Sequence, residues 1–260
     1  MRRLEKIVQT RYANGLATLQ DLIRAQVEQT RLRSELVALE TEHHHLRTRL
    51  NALLARPAAA PLAAPEKLRP LPPPARLDYA TLEERVRVRN PLLAAEDGKL
   101  QAAEKNRELT YKNRYPDFTL SAGPIQYQSA IREWDVMIEM NIPLQQSSRR
   151  AQERESEAML SAARARREAS TYQVLADLAE NLAAIDGARR SEALATNDLL
   201  PEAELTFRAA LAGYENGKLD FAMLLDAQRQ IRQARQDQIR AQAEGQARLA
   251  EIERLLGEEL

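Results

Sequence analysis

The sequence predicts a mainly α-helical protein of long coiled-coil helices with one β-hairpin inserted. Three observations predict it. The 260 residues are rich in Ala, Leu, Glu, Arg and Gln, 29% charged and 4% aromatic, with only 8 Gly, which is the profile of long helices. Apolar positions repeat every 3.5 residues over 16–54 and again over 220–256, the signature of a coiled-coil seam. One stretch, 117–145, alternates with period two instead. The 38 basic and 38 acidic residues cancel, so the charges read as solvated helix faces and no nucleic-acid partner is expected. No Cys is present, which excludes disulfides, thiolate metal sites and cysteine nucleophiles. No apolar run reaches the roughly 20 residues of a membrane-spanning helix.

The chain opens on a helix that stops at Asn14-Gly15. The segment Tyr12 to Gln26 has a near-copy 202 residues later, from Tyr214 to Gln228. Tyr12 matches Tyr214, Asn14-Gly15 matches Asn216-Gly217, Leu22 matches Leu224, and Ala25-Gln26 matches Ala227-Gln228. Asn and Gly accept the left-handed conformation that ends one helix and redirects the chain into the next. A helix-turn-helix tip therefore occurs twice, and the chain is expected to be a duplication. Along 16–54 the seam is Leu22, Ala25, Leu32, Leu36, Leu39, Leu46, Leu50 and Leu53, with Gln29 and His43 filling the stripe.

Residues 55–77 carry Pro57, Pro61, Pro65, Pro70, Pro72, Pro73 and Pro74, an extended linker by the loss of backbone donors. A short helix over about 78–89 ends before Asn90-Pro91, an N-cap followed by a proline suited to the first helical position. That next helix stops at Tyr115-Pro116-Asp117. In 117–145, Trp134, Val136, Ile138, Met140 and Ile142 share one face, with Glu133, Asp135, Glu139 and Asn141 on the other. Phe118, Leu120 and Ala122 alternate more weakly with Thr119, Ser121 and Gly123, and the turn is placed within 124–132. Such a hairpin suits either a transmembrane barrel, with lipid outside, or a sheet lying on its own helices; alone it would not be stable in water. A helix over about 148–197 follows, with Leu175, Leu178, Leu182 and Ile185 inside. Leu199-Leu200-Pro201 interrupts it before a segment that runs to Tyr214. The last helix carries the smaller seam Leu224, Ala227, Ile231, Ala234, Ala241, Gly245, Ile252 and Leu255.

Asn90-Pro91-Leu92-Leu93-Ala94-Ala95, Tyr115-Pro116-Asp117-Phe118, Ile142-Pro143-Leu144, Leu199-Leu200-Pro201-Glu202-Ala203-Glu204 and the two tips occur in the order and spacing of one family. The chain resembles the TolC-like outer-membrane efflux proteins, the outer-membrane factors of tripartite pumps. The resemblance covers essentially the whole chain and implies a homotrimer whose helices form a periplasmic α-barrel and whose hairpins share a transmembrane β-barrel. It implies residues 1–54 as the C-terminal helices of a first repeat, 55–77 as the inter-repeat linker, and 78–260 as the second repeat. The counterpart of Pro201 would fall just before Met1, so the first repeat is expected to be truncated, with its hairpin and signal peptide missing from this chain.

By the same resemblance, a periplasmic adaptor docks on Asn14, Gly15, Leu16, Asn216, Gly217 and Lys218. Tyr214 and Asp226 fall in the network that gates the tip. Trp134, Val136, Ile138, Met140 and Ile142 face outer-membrane lipid. The basic residue that some members carry two positions after the tip glycine is Leu219 here, so the resemblance supplies no charged latch at that position. The implied function is a passive export duct for metal cations or small toxic compounds, driven by an inner-membrane pump, in the outer membrane and projecting into the periplasm. No cofactor, no resident metal and no enzymatic activity are expected. His43-His44-His45 cannot converge on one ion, because consecutive helical residues point about 100° apart; one packed and two solvated histidines are expected. Glu/Arg pairs such as those within 149–155 read as helix-surface pairs. Two rival classes are the adaptor itself, which would need lipoyl-like β segments that the sequence lacks, and a soluble coiled-coil scaffold or non-functional truncated product.

Overall fold

The structure is a computed structural model that describes residues 1–63, 67–127, 130–142 and 146–260. Pro65 of the linker, and Pro143 and Leu144 of the motif after the hairpin, lie outside these residues. The elements are α1 (Arg2–Ala13), α2 (Leu19–Leu53), α3 (Tyr79–Arg89), α4 (Pro91–Lys112), β1 (Asp117–Tyr127), β2 (Ala130–Asn141), α5 (Gln146–Leu194), a π-helical turn (Ala195–Leu199), α6 (Leu200–Glu215) and α7 (Phe221–Leu256). They divide into two compact units, 1–71 with 185–247 and 72–184 with 248–260. These are groupings in space and differ from the duplication in sequence.

In the first unit, Leu4, Val8, Ala25, Ala210, Tyr214, Phe221, Leu224, Leu225 and Ala227 form one buried cluster. Here α1 and α2 pack with α6 and the start of α7. The expected seam of α2 is covered only near this cluster. Leu36, Leu39, Leu46, Leu50 and Leu53 are exposed, and so are His43, His44 and His45. The packed histidine expected at position 43 is therefore solvated, because no described residue covers the helix there. The seam of α7 in this unit is closed: Leu224, Ala227 and Ala234 are buried. A Cβ on Gly245 would stand 2.9 Å from Leu71 Cδ1, so the glycine makes room for the linker, and Gln246 Nε2 donates to Arg69 O at 2.6 Å.

The linker is not extended throughout. Ala60 N donates to Pro57 O at 2.9 Å, and buried Asn51 Nδ2 donates to Ala58 O and Ala60 O, folding 57–60 back onto α2. A 3-10 turn occupies Pro74–Arg76.

In the second unit, Leu82, Val86, Leu93, Leu178, Ile252 and Leu255 are buried. Asn90 acts twice: its Oδ1 accepts from Leu92 N and Leu93 N, capping α4, and its Nδ2 donates to Leu255 O at 2.8 Å. That tie holds the end of α7 against the start of α4, where Arg85 and Arg89 both pair with Glu258. Of the surface pairs expected within 149–155, Glu153 instead reaches across to Arg114 at 2.6 Å and Arg149 donates to Asn113 O.

β1 and β2 pair antiparallel, with Phe118 opposite Met140, Leu120 opposite Ile138, Ala122 opposite Val136 and Pro124 opposite Trp134. Because side chains alternate, these eight residues lie on one face. A register shift between Ile125 and Gln126 inserts one extra residue, Arg132, into the second strand, a β-bulge of the kind that re-aims a strand near a sheet end. Phe118, Leu120, Trp134, Val136, Ile138, Met140 and Ile142 are all 49–74% exposed, so the sheet does not lie on its own helices.

The break expected at Leu199-Leu200-Pro201 is absorbed without leaving helical geometry. Leu194, Leu199 and Leu200 all have helical φ and ψ. Pro201 has no N–H to donate and its ring would strike the carbonyl four residues back. Widening one turn to the π form removes that clash while α6 continues.

Candidate functional site: the paired helix tips

The tips are built alike from backbone geometry. Gly15 and Gly217 have φ of 70° and 67°. At the first, Gly15 N donates to Tyr12 O at 3.0 Å and Leu16 N to Arg11 O at 2.8 Å; at the second, Gly217 N donates to Tyr214 O at 3.0 Å and Lys218 N to Gly213 O at 2.8 Å. Both are Schellman closures, which satisfy the last carbonyls of a helix with a left-handed residue. Asn14 Nδ2 and Asn216 Nδ2 each donate to the carbonyl four residues back. The following helices start on equivalent caps, a capping box of Thr18 with Asp21 and Asp220 Oδ1 accepting from Met223 N at 2.9 Å. Asn14, Gly15, Leu16, Asn216, Gly217 and Lys218 are all exposed.

The two tips are stitched together by Arg11, which sequence reasoning missed. Its Nη1 donates to Glu215 O at 2.7 Å, placing a cation at the carbonyl end of α6, where the helix dipole favours one. Its guanidinium also lies over the Tyr214 ring, 4.8 Å from the centroid. Tyr214 packs against Phe221 at 5.7 Å and is buried, whereas its repeat counterpart Tyr12 is exposed. The Tyr214 hydroxyl has no hydrogen-bond partner among the described residues. Burial pushes this phenol above its ordinary value, the Asp21 charge adds to the rise, and Arg11 opposes it.

The repeat position of Arg11 in the second tip is Gly213, where a Cβ would fall 2.6 Å from Leu219 Cδ1. Leu219 thus folds over the helix end in a space that the first tip fills differently. A basic residue in the last turn of α1, paired with glycine in the other repeat, was the available signal.

Tyr214 and Asp226, grouped by resemblance, have separate partners. Asp226 is exposed and pairs with Arg229 at 3.3 Å. Arg229 in turn holds Glu28, its Nη2 2.6 Å from Oε2 and its Nε 3.2 Å from Oε1. Glu28 is 3% exposed. Arg232 stands 3.6 Å from it and 3.7 Å from Glu35. Hydrogen bonding from Arg229 holds the Glu28 carboxyl below its ordinary value; burial opposes this, and the charges of Arg229, Arg232 and Arg31 reinforce it. Beside this cluster a groove of about 630 Å³ runs between α2 and α7, with Leu19, Ile23, Val27 and Leu225 on its apolar wall and Asp226 at its rim. No group of three or more His, Asp or Glu residues able to hold a metal ion occurs among the described residues.

Residues 82–258 match the family model described as outer membrane efflux protein, about two-thirds of the chain. The chain belongs to the outer membrane efflux protein family. The chain is 29% identical over 254 residues to the cobalt-zinc-cadmium resistance protein CzcC of Cupriavidus metallidurans, covering 95% of this chain and 58% of that one. Its fold is that of the outer membrane protein VceC of Vibrio cholerae, with a TM-score of 0.84 at 19% identity over 99% of this chain and 63% of VceC. The channel protein CusC gives a TM-score of 0.86 at 18% identity, over 99% of this chain and 61% of CusC. The chain thus spans about three-fifths of the length of these relatives. Membership in a family of outer membrane efflux proteins disfavours a soluble scaffold.

Proposed function

We propose that this chain forms part of the outer-membrane channel of a tripartite efflux system, a passive export duct that opens when a periplasmic adaptor docks on its tips. One observation carries the reading: a hairpin with an uncovered apolar face belongs to the same chain as two side-by-side Asn-Gly tips with exposed turns. Trp134 to Ile142 span about 26 Å along the strand, or about 20 Å along a membrane normal at a 40° tilt, most of the ~25 Å apolar band of an outer-membrane barrel. As the smallest barrels have about eight strands, the two strands among the described residues of each chain give only six in a homotrimer, so the barrel calls for further strands beyond these.

In this reading residues 1–54 close a first repeat, 55–77 link it to the second, and 78–260 are that second repeat. The tip residues Asn14, Gly15, Leu16, Asn216, Gly217 and Lys218 meet the adaptor, Tyr214 and Asp226 belong to the gate, and the inner-membrane pump supplies the energy. Metal cations are the preferred cargo, supported by the cobalt-zinc-cadmium resistance named for CzcC. Deleting the gene in its host and measuring growth inhibition by zinc, cobalt, cadmium and organic toxicants tests the reading. Greater sensitivity to the divalent cations, reversed by the intact gene, is expected. Sensitivity to organic toxicants alone would move the cargo to drugs, and unchanged tolerance to every compound would overturn the export function.

A further inference from the structure

Where the hairpin joins its helices, the charge balance of the chain breaks. Lys112, Arg114, Arg149 and Arg150 stand against the single acid Asp117 within 112–117 and 146–150, in a chain whose net charge is zero. The structure gathers them: Arg149 donates to Asn113 O, and Arg114 pairs with Glu153. Lys112, Arg150 and, one turn on, Arg154 are exposed, with no ion pair within 4 Å among the described residues, although the Lys112 charge is felt by the Glu108 carboxylate one turn back. Folding does not call for this arrangement. The first turn of α5 has no acid, although acids are what a helix N-terminus favours. Tyr115 is exposed beside these cations, and the sheet's uncovered face begins at Phe118.

We propose that this collar of Lys112, Arg150, Arg154 and Tyr115 binds the phosphate headgroups of anionic phospholipid, fixing how deep the hairpin sits. The inference rests on the lipid-facing reading of the strands. Unpaired cations next to an apolar surface gain from an anionic leaflet, and an amphipathic ring suits the boundary between hydrocarbon and water. Two other cations of the same region, exposed Lys105 and half-buried Arg107, are already paired with Glu108 and Glu157, which leaves the end nearest the sheet as the cationic part.

Co-flotation of the purified chain with vesicles tests it, using phosphatidylcholine alone and phosphatidylcholine with roughly one-third phosphatidylglycerol. Capture by the anionic vesicles about tenfold greater is expected, shrinking as salt shortens the screening length. The triple variant Lys112→Gln/Arg150→Gln/Arg154→Gln should lose that preference, while Arg33→Gln/Arg49→Gln/Arg166→Gln, with the same change in charge elsewhere, should keep it. Equal capture of the wild type by both vesicles would overturn the collar but leave the lipid-facing strands standing. Equal loss in the two triple variants would overturn it as well, and capture by neither vesicle would overturn both readings.

Discussion

Glu28 and Tyr214 carry the most informative single-residue chemistry. Removing one partner of a buried ion pair strands the other charge, a loss of about 3–5 kcal/mol when both are buried. Arg229 is 42% exposed and retains water, so Glu28→Ala should cost about 2 kcal/mol in chemical denaturation, a discount for solvent screening. The pH dependence follows from the lowered Glu28 pKa. The carboxylate contributes its full stability above the ordinary glutamate value near 4.5 and loses it as pH falls through the lower folded value. Glu28→Gln should therefore flatten the stability profile below about pH 4.5, and a profile as steep as wild type would show that other carboxylates dominate. Tyr214→Phe deletes a buried hydroxyl that lacks a partner and should be neutral or stabilising by up to about 1 kcal/mol, whereas Tyr214→Ala should cost about 3 kcal/mol. A marked loss of thermal stability in Tyr214→Phe would mean the hydroxyl is satisfied. Neither arrangement was legible in the sequence. Glu28 lies off the heptad seam and reads like any surface glutamate, and a repeat comparison equates Tyr214 with Tyr12 although only one is buried.

Among the elements, the tips were the most legible, because left-handed backbone demands a narrow choice of residues and the choice recurs at a fixed offset. Open space surrounds a Cβ at Gly15 and at Gly217, so alanine there should cost only the conformational strain, about 1 kcal/mol at either site by thermal melting. A much larger loss would reveal packing that the open space does not provide. The hairpin was legible through its alternation, but its bulge at Arg132 was not, since an inserted residue leaves the pattern on either side intact. Arginine at the middle of its apolar face, in Val136→Arg or Ile138→Arg, should weaken membrane partition by about 2–4 kcal/mol. Equal amounts of variant and wild type in the outer-membrane fraction would remove that face from lipid. The α2 seam shows the opposite limit: a 3.5-residue period tells that a helix expects a neighbour, but not which chain or segment provides it.

For the molecule as a whole, the absence of native Cys turns the docking proposal into a clean measurement. A single cysteine in Asn14→Cys or Lys218→Cys should cross-link to the periplasmic adaptor in cells through a short bifunctional reagent. Val88→Cys, at an exposed position in the other compact unit, should not. Cross-links at Val88 matching those at the tips would argue against a defined docking end. The two tips are also chemically unequal despite their shared backbone, with Arg11 in one and Gly213 in the other, so the two cysteine variants need not cross-link with equal yield.

The π-turn has a consequence of its own. One residue is taken up there without the usual advance, so the surfaces of α5 and α6 are written in different phases. Closing this turn to an ordinary helix with all the residues of 195–199 kept would change little in helix content but turn everything after it by about 100°. Ala203, Ala210 and Tyr214 would then rotate off the core together. The position of the tip in the molecule is therefore set by a count of residues some fifteen places upstream, as the bitting of a key depends on where its shoulder stops.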